Sequence, residues 1–158
     1  MIDQAKLKEA VVYDPETGLF TWAKNVPRHA KAGDAAGGKR HRYWRISIGN
    51  KLYSGHQLAW LYMTGVWPDH MIDHRDGDGC NNRWANLRAA TPGQNTMNCK
   101  GRRAGLKGVT LLPSGKFQAG IKHRGRNFYL GVFDTEEAGH AAYLAKAVEL
   151  FGEFARAA

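Results

Sequence analysis

Met71-Ile72-Asp73-His74-Arg75-Asp76-Gly77-Asp78-Gly79-Cys80-Asn81-Asn82-Arg83-Trp84-Ala85-Asn86-Leu87-Arg88-Ala89-Ala90-Thr91-Pro92-Gly93-Gln94-Asn95 is the stretch whose reading decides this chain. Asp73 and His74 are adjacent. Strand neighbours point to opposite faces, but at a strand end or in a bent loop both can reach one phosphate. A hard divalent ion prefers oxygen ligands, and Asp73 can supply one. A neutral His74 can take a proton from water near pH 7. Thr91-Pro92 opens a helix, with Thr as cap and Pro in the first turn, and that helix carries Asn95, whose amide oxygen can supply a second ligand. Water and phosphate would fill the remaining positions. Hydrolysis of a phosphodiester needs these two things, an activated water and relief of charge on the leaving oxygen. Asp76, Asp78 and Asn82 read as turn formers. A calcium loop is excluded because Leu87 stands where its closing Glu would be.

Upstream, residues 3 to 12 read as a short helix capped by Asp3, with Leu7 and Val11 on one face. Asp14 to Gly18 form a turn, and Leu19 to Trp22 a strand. Residues 24 to 42 are Gly- and Lys-rich and read as a basic loop. Tyr43 to Ile48 alternate with period two, and Gly49-Asn50 turn them back into Lys51-Leu52-Tyr53 as a hairpin. Ser54 can cap a helix carrying Leu58, Leu61 and Tyr62, with Gly65 at its end. Downstream, residues 107–112, 116–122 and 127–133 read as three short strands, followed by a helix capped by Asp134 or Thr135. Ala138, Ala141, Ala142, Ala145 and Val148 are expected on its packed face. All five tryptophans are expected in the core. His29, His41, His70, His123 and His140 are expected on the solvated surface or near backbone phosphates.

The whole chain has 158 residues and a net charge of +9. The hydrophobic fraction of 43% allows a packed core and argues against global disorder. The longest apolar stretch, Leu58 to Trp67, is far short of the roughly 20 residues of a membrane span. The N-terminus lacks a signal-peptide pattern. Two cysteines, Cys80 and Cys99, cannot make a disulfide framework or a four-thiolate zinc site. The charge is segregated. Eight basic residues between Lys24 and Lys51 face one acid, seven between Gly101 and Arg126 face none, and the tail from Phe133 is acidic. Segregation of this kind points to elements that meet phosphates.

The quoted stretch resembles the HNH homing-endonuclease family, in particular its phage-encoded members. His74 stands at the first His of the motif, Asn86 at the central Asn, and Asn95 at the third position, where this subgroup has Asn. Tyr13-Asp14-Pro15-Glu16-Thr17-Gly18-Leu19-Phe20-Thr21-Trp22 and Leu52-Tyr53-Ser54-Gly55-His56-Gln57-Leu58-Ala59-Trp60 extend the likeness upstream. The resemblance implies His74 as general base, Asp73 and Asn95 as ligands of one Mg²⁺ or Mn²⁺ ion, and Asn86 as holder of the loop between two strands. Residues Lys107-Gly108-Val109, Ser114 to Ile121 and Leu130 to Ala138 resemble the ethylene-response-factor class of DNA-binding domain. That likeness implies three strands presented to DNA with a helix behind. Phe117 stands where plant members usually carry Trp, and the set of base-reading Arg is incomplete, so phosphate contact is the expected role.

The resulting expectation is an α+β protein. Residues 1–100 form a ββα-metal HNH nuclease with an N-terminal helix and hairpin region, 101–106 a linker, and 107–158 a three-stranded antiparallel sheet on one helix. The activity expected is metal-dependent cleavage of double-stranded DNA by a monomer or weak dimer in the cytoplasm of a bacterial host, encoded by phage or prophage. Arg42, Arg45, His56, Arg102, Arg103, Lys107, Lys116, Lys122, Arg124 and Arg126 are the expected DNA contacts. A non-catalytic DNA-binding regulator and an RNA-binding accessory factor are the rival readings.

Overall fold

Asp3 opens the first element as its carboxylate accepts from the Lys6 N–H at 2.8 Å, which caps α1 (Gln4–Ala10). The helix stops at Ala10 rather than at residue 12. Val11-Val12-Tyr13 are two β-branched residues and an aromatic, and they leave the helix as β1 (Val11–Tyr13). They pair antiparallel with β2 (Phe20–Trp22), Val11 opposite Trp22 and Tyr13 opposite Phe20. The Asp14–Gly18 turn between them is held by Asp14 Oδ1, which accepts from Glu16 N–H at 2.9 Å.

The expected basic loop contains a strand. β3 (Gly38–Arg40) pairs with β4 (Tyr43–Ile48), which turns at Gly49-Asn50 into β5 (Lys51–Ser54). Both turn residues have positive φ, 55° and 63°, as a two-residue hairpin of native twist needs. α2 (Gly55–Thr64) follows and ends on a left-handed Gly65. Ser54 does not cap α2 with its side chain; its Oγ accepts from Arg45 Nη1 at 2.7 Å instead. β6 (Met71–His74) and β7 (Leu87–Ala90) form a separate antiparallel pair, joined by a loop that ends in a single turn of 3₁₀ helix, Trp84–Asn86.

The structure, a computed structural model, describes residues 1–26, 30–98 and 105–155. Contacts divide it into two units, Met1–Ala90 and Thr91–Ala158. In the first, Leu7, Val11, Tyr13, Phe20, Ile46, Leu58 and Leu61 make the buried core. Each side chain of this size contributes roughly 1.5–3 kcal/mol when fully buried. Trp22, Trp44, Trp67 and Trp84 pack against that core half-buried rather than inside it.

The second unit starts with α3 (Pro92–Asn98), then β8 (Val109–Leu111), β9 (Phe117–His123), β10 (Arg126–Phe133) and α4 (Glu136–Phe151). The strands form one antiparallel sheet in the order β10-β9-β8. Thr135 caps α4, its side chain accepting from Ala138 N–H. The expected alanine face is corrected: Gly139, His140, Tyr143 and Ala147 are the buried positions, and Val148 is 58% exposed. The two stripes lie about one residue apart on the helix, and Tyr143 brings far more apolar area to bury than any alanine. His140 is thereby buried, with Nδ1 2.8 Å from the Lys107 carbonyl. Met97 of α3 packs on the cluster of Ile121, Tyr143 and Ala147.

Among the described residues the chain is thus a mixture of four α-helices and four small antiparallel sheets. None of these helices is long and apolar enough to cross a membrane.

Candidate active site

Antiparallel register places Asp73 opposite Arg88 and His74 opposite Leu87. Directly opposed residues have close Cβ atoms, so Asp73 and Arg88 meet across the pair. Arg88 donates to Asp73 Oδ2 from Nε at 2.9 Å and from Nη2 at 2.8 Å. Both side chains are buried, 3% and 7% exposed. A buried carboxylate needs such a partner, because desolvation of an isolated charge is prohibitive. Asp73 is the only buried carboxylate among the described residues.

His74 closes β6 and is 5% exposed. Its Nε2 lies 3.4 Å from Asn82 Oδ1. The ring packs edge-on against His56, centroids 5.1 Å apart, and Tyr43 lies against both rings. Burial holds the His74 imidazole below its ordinary range, opposed by the Asn82 hydrogen bond and by the charges of Asp76, Asp73 and Asp78. His74 is therefore neutral at pH 7 and able to accept a proton.

His56, in the first turn of α2, is pushed down to about 3 by burial, with smaller effects of the His74 and Arg45 charges. Its Nδ1 is buried with no hydrogen-bond partner among the described residues. This predicts acid sensitivity. The unfolded imidazole takes a proton near its ordinary 6.5, the folded one only near 3. Between those values the unfolded state binds more protons, so stability falls as pH falls, and this group has no influence above the window. The thermal midpoint is expected to drop from pH 6.5 towards pH 4, and less steeply in His56→Asn. Equal slopes for the two proteins in calorimetry would contradict the assignment.

Asn86 is built into the loop between the strands. Its Nδ2 donates to Asp76 Oδ1 at 3.0 Å and to the Asn81 carbonyl at 2.8 Å, and its Oδ1 accepts from Asp76 N–H at 3.1 Å. Burial pushes the Asp76 carboxyl up, but bonds from Asp78 N–H, Asn81 and Asn86, with the charge of His74, outweigh it and hold it below the usual range. Asp76 and Asp78 thus organise the turn, as their spacing suggests. Asn82 does not stay a surface turn former: it is 1% exposed and touches His74. Asn82 and Arg88 are the site residues that the sequence did not single out.

The expected DNA contacts fall into different settings. Arg45 lies over the Tyr43 ring, 5.9 Å from its centroid, and so joins His56 beside His74. Arg42 is exposed on the short turn between β3 and β4. Lys122, Arg124 and Arg126 are exposed at the β9–β10 turn, while Lys116 pairs with Asp134 at 2.9 Å. Lys107 donates to the Met97 carbonyl and so ties the end of α3. Arg102 and Arg103 lie outside the described residues, as does Cys99. Asn95 sits on α3, its N–H donating to the Thr91 carbonyl at 3.0 Å.

Among the described residues no group of three or more His, Cys, Asp or Glu gathers to hold a metal. The donor set at the end of β6 is the Asp73 carboxylate beside His74. It fits a hard divalent ion that takes one carboxylate and completes its shell with phosphate and water, since such ions keep several waters and use one or two carboxylates. Asp73, buried in β6 and held by Arg88, is the carboxylate that would serve it.

A buried Asp–His pair at the end of an antiparallel strand pair, with an asparagine-tied loop between the strands, makes up the candidate site. Residues 53–97 match the family model of HNH endonucleases. An uncharacterised HNH endonuclease of Acanthamoeba polyphaga mimivirus is 38% identical over 96 residues, which are 60% of this chain. The chain spans about half, 51%, of that relative's length. No solved structure matches.

Proposed function

We propose that this chain is a metal-dependent DNA endonuclease with His74 as its general base. The observation that carries this reading is the neutral, buried His74 beside the buried Asp73 carboxylate, inside the segment matched by the HNH family. His74 takes the proton of the attacking water, and phosphorus–oxygen cleavage leaves a 5′-phosphate and a 3′-hydroxyl. Asp73 would hold a Mg²⁺ or Mn²⁺ ion, with Asn95 assigned as a further ligand from its place in the motif. The chemistry such an ion supplies is relief of negative charge on the phosphate and the departing oxygen. Asn86 keeps the loop closed under His74. Arg45 and His56 face the same surroundings and would meet the phosphate backbone of double-stranded DNA, with Arg42 close by in sequence.

In the second unit, the sheet turns Ala119 and Ile121 towards α4 and Gln118, Lys122 and Tyr129 to the outside. With Lys116, Arg124 and Arg126 this face is suited to phosphate contact. Arg102, Arg103 and Lys107 complete the proposed DNA-binding set. The chain would act as a monomer or weak dimer in the cytoplasm of a phage-bearing bacterium.

The grip of Arg88 on Asp73 favours one rival, a DNA-binding regulator that has lost catalysis, because a cation already sits where the ion would. A plasmid assay separates the two. Supercoiled plasmid with Mg²⁺ is expected to become open-circular and then linear, and EDTA to stop it. Plasmid binding without any nicking in Mg²⁺ or Mn²⁺ would favour the regulator.

A further inference from the structure

We infer that Asn82 is the positioning residue of the site, fixing which nitrogen of His74 carries the proton. This rests on the reading of His74 as the base. Asn82 is a polar side chain with 1% exposure, among the most deeply buried in the chain. Buried amides are hydrogen-bonded at both ends as a rule, and each end of this one has a partner that sets its direction. Nδ2 donates to the Cys80 carbonyl at 3.3 Å, and Oδ1 lies 3.4 Å from His74 Nε2. The reversed amide would set Oδ1 against the Cys80 carbonyl, two acceptors facing one another. Oδ1 therefore faces the ring as an acceptor, and Nε2 must be the donor. In a neutral imidazole the other nitrogen, Nδ1, is then the one that accepts a proton.

The surroundings hold Asn82 still. Its backbone carbonyl accepts from the Tyr13 hydroxyl at 2.6 Å. Tyr13 is 4% exposed, and burial, with the charge of Asp14, pushes its phenol well above the ordinary range, so it stays a donor at every working pH. Two glycines make the room. A Cβ at Gly18 would come within 2.6 Å of Asn82 C and 2.4 Å of Arg83 N, and Gly18 already has a φ of +74°. A Cβ at Gly55 would come within 2.7 Å of Asn82 Nδ2. The Asp14–Gly18 turn and the start of α2 thus form a socket around one asparagine. A socket so specific has little value for a turn former and much for a group that must aim a neighbouring ring. The 3.4 Å separation is long for a resting neutral pair.

The test is ¹⁵N NMR of the full chain without metal or DNA, together with cleavage kinetics. In the native protein His74 is expected to show an Nε2-bound proton, slow to exchange and close to the Asn82 amide, with Nδ1 unprotonated. Asn82→Asp keeps the acceptor oxygen and should keep that proton signal. Asn82→Ala should lose it to solvent exchange and lower kcat by about 10–100-fold, the range for groups that orient catalytic ligands, with KM little changed. A proton on Nδ1 in the native protein overturns the inference, as does an unaltered Nε2 proton in Asn82→Ala. Should Asn82→Ala fail to fold, the native and Asn82→Asp spectra decide it. The tautomer is read without any cleavage. A protein that holds it and never cuts DNA would therefore end the nuclease reading while leaving this assignment in place.

Discussion

His74→Ala should lower the rate of plasmid cleavage by about 10²–10⁴-fold, the range that a positioned general base contributes. DNA affinity in a gel shift should hardly change, since a buried neutral ring contributes little to phosphate attraction. The neutral state at pH 7 follows from burial, which outweighs the neighbouring carboxylates. The rate of the native protein should accordingly fall on the acid side as His74 takes up a proton. The substitution opens space between Asn82, His56 and Tyr43, so the folded fraction has to be matched by circular dichroism before rates are compared. Native-like cleavage by a well-folded His74→Ala protein would remove His74 from the chemistry and leave the family match without its base.

Asp73 and His74 were picked out on local signals, two adjacent side chains in a turn-rich motif with Asn86 and Asn95, and the structure places both of them buried at the end of β6. Asn86 was legible for the same reason, since it ties a loop only ten residues long in sequence separation from Asp76. Arg88 was not, because its role depends on strand register. A shift of one residue would have sent its guanidinium to the other face of the pair. Asn82 was read as a turn former because Asn-rich loops are usually solvated. Only the packing of Tyr13, Gly18 and Gly55 around it, up to 69 residues away in sequence, removes it from water. The same contrast runs through the fold. The Tyr43–Ser54 hairpin was visible in alternation and in Gly49-Asn50, whereas β1 and β3 are short strands that exist by virtue of partners elsewhere in the chain. On α4 two stripes of small residues compete, and tertiary burial of Tyr143 decides between them.

Arg88→Ala should cost the first unit about 3–5 kcal/mol, the penalty for removing one partner of a buried ion pair. The pair itself is worth much less than that: most of the loss is the cost of keeping the buried Asp73 carboxylate charged once this guanidinium is gone. Asp73 is 3% exposed, so water cannot replace the guanidinium without local opening of β6 and β7. Against a typical domain stability of about 5–15 kcal/mol this is a large fraction, and the thermal midpoint should fall by more than about 10 °C. The double substitution Asp73→Leu with Arg88→Met removes both charges and keeps apolar bulk, so it should recover much of that loss. Paired apolar replacements of buried ions are often neutral or better. The double protein should also be unable to cleave DNA, because it lacks the proposed oxygen ligand. Stability and chemistry would then separate at the same two positions. If Arg88→Ala melts with the native protein, Asp73 is not held by this pair, and the Asp73–Arg88 contact has to be an exposed, weakly coupled one.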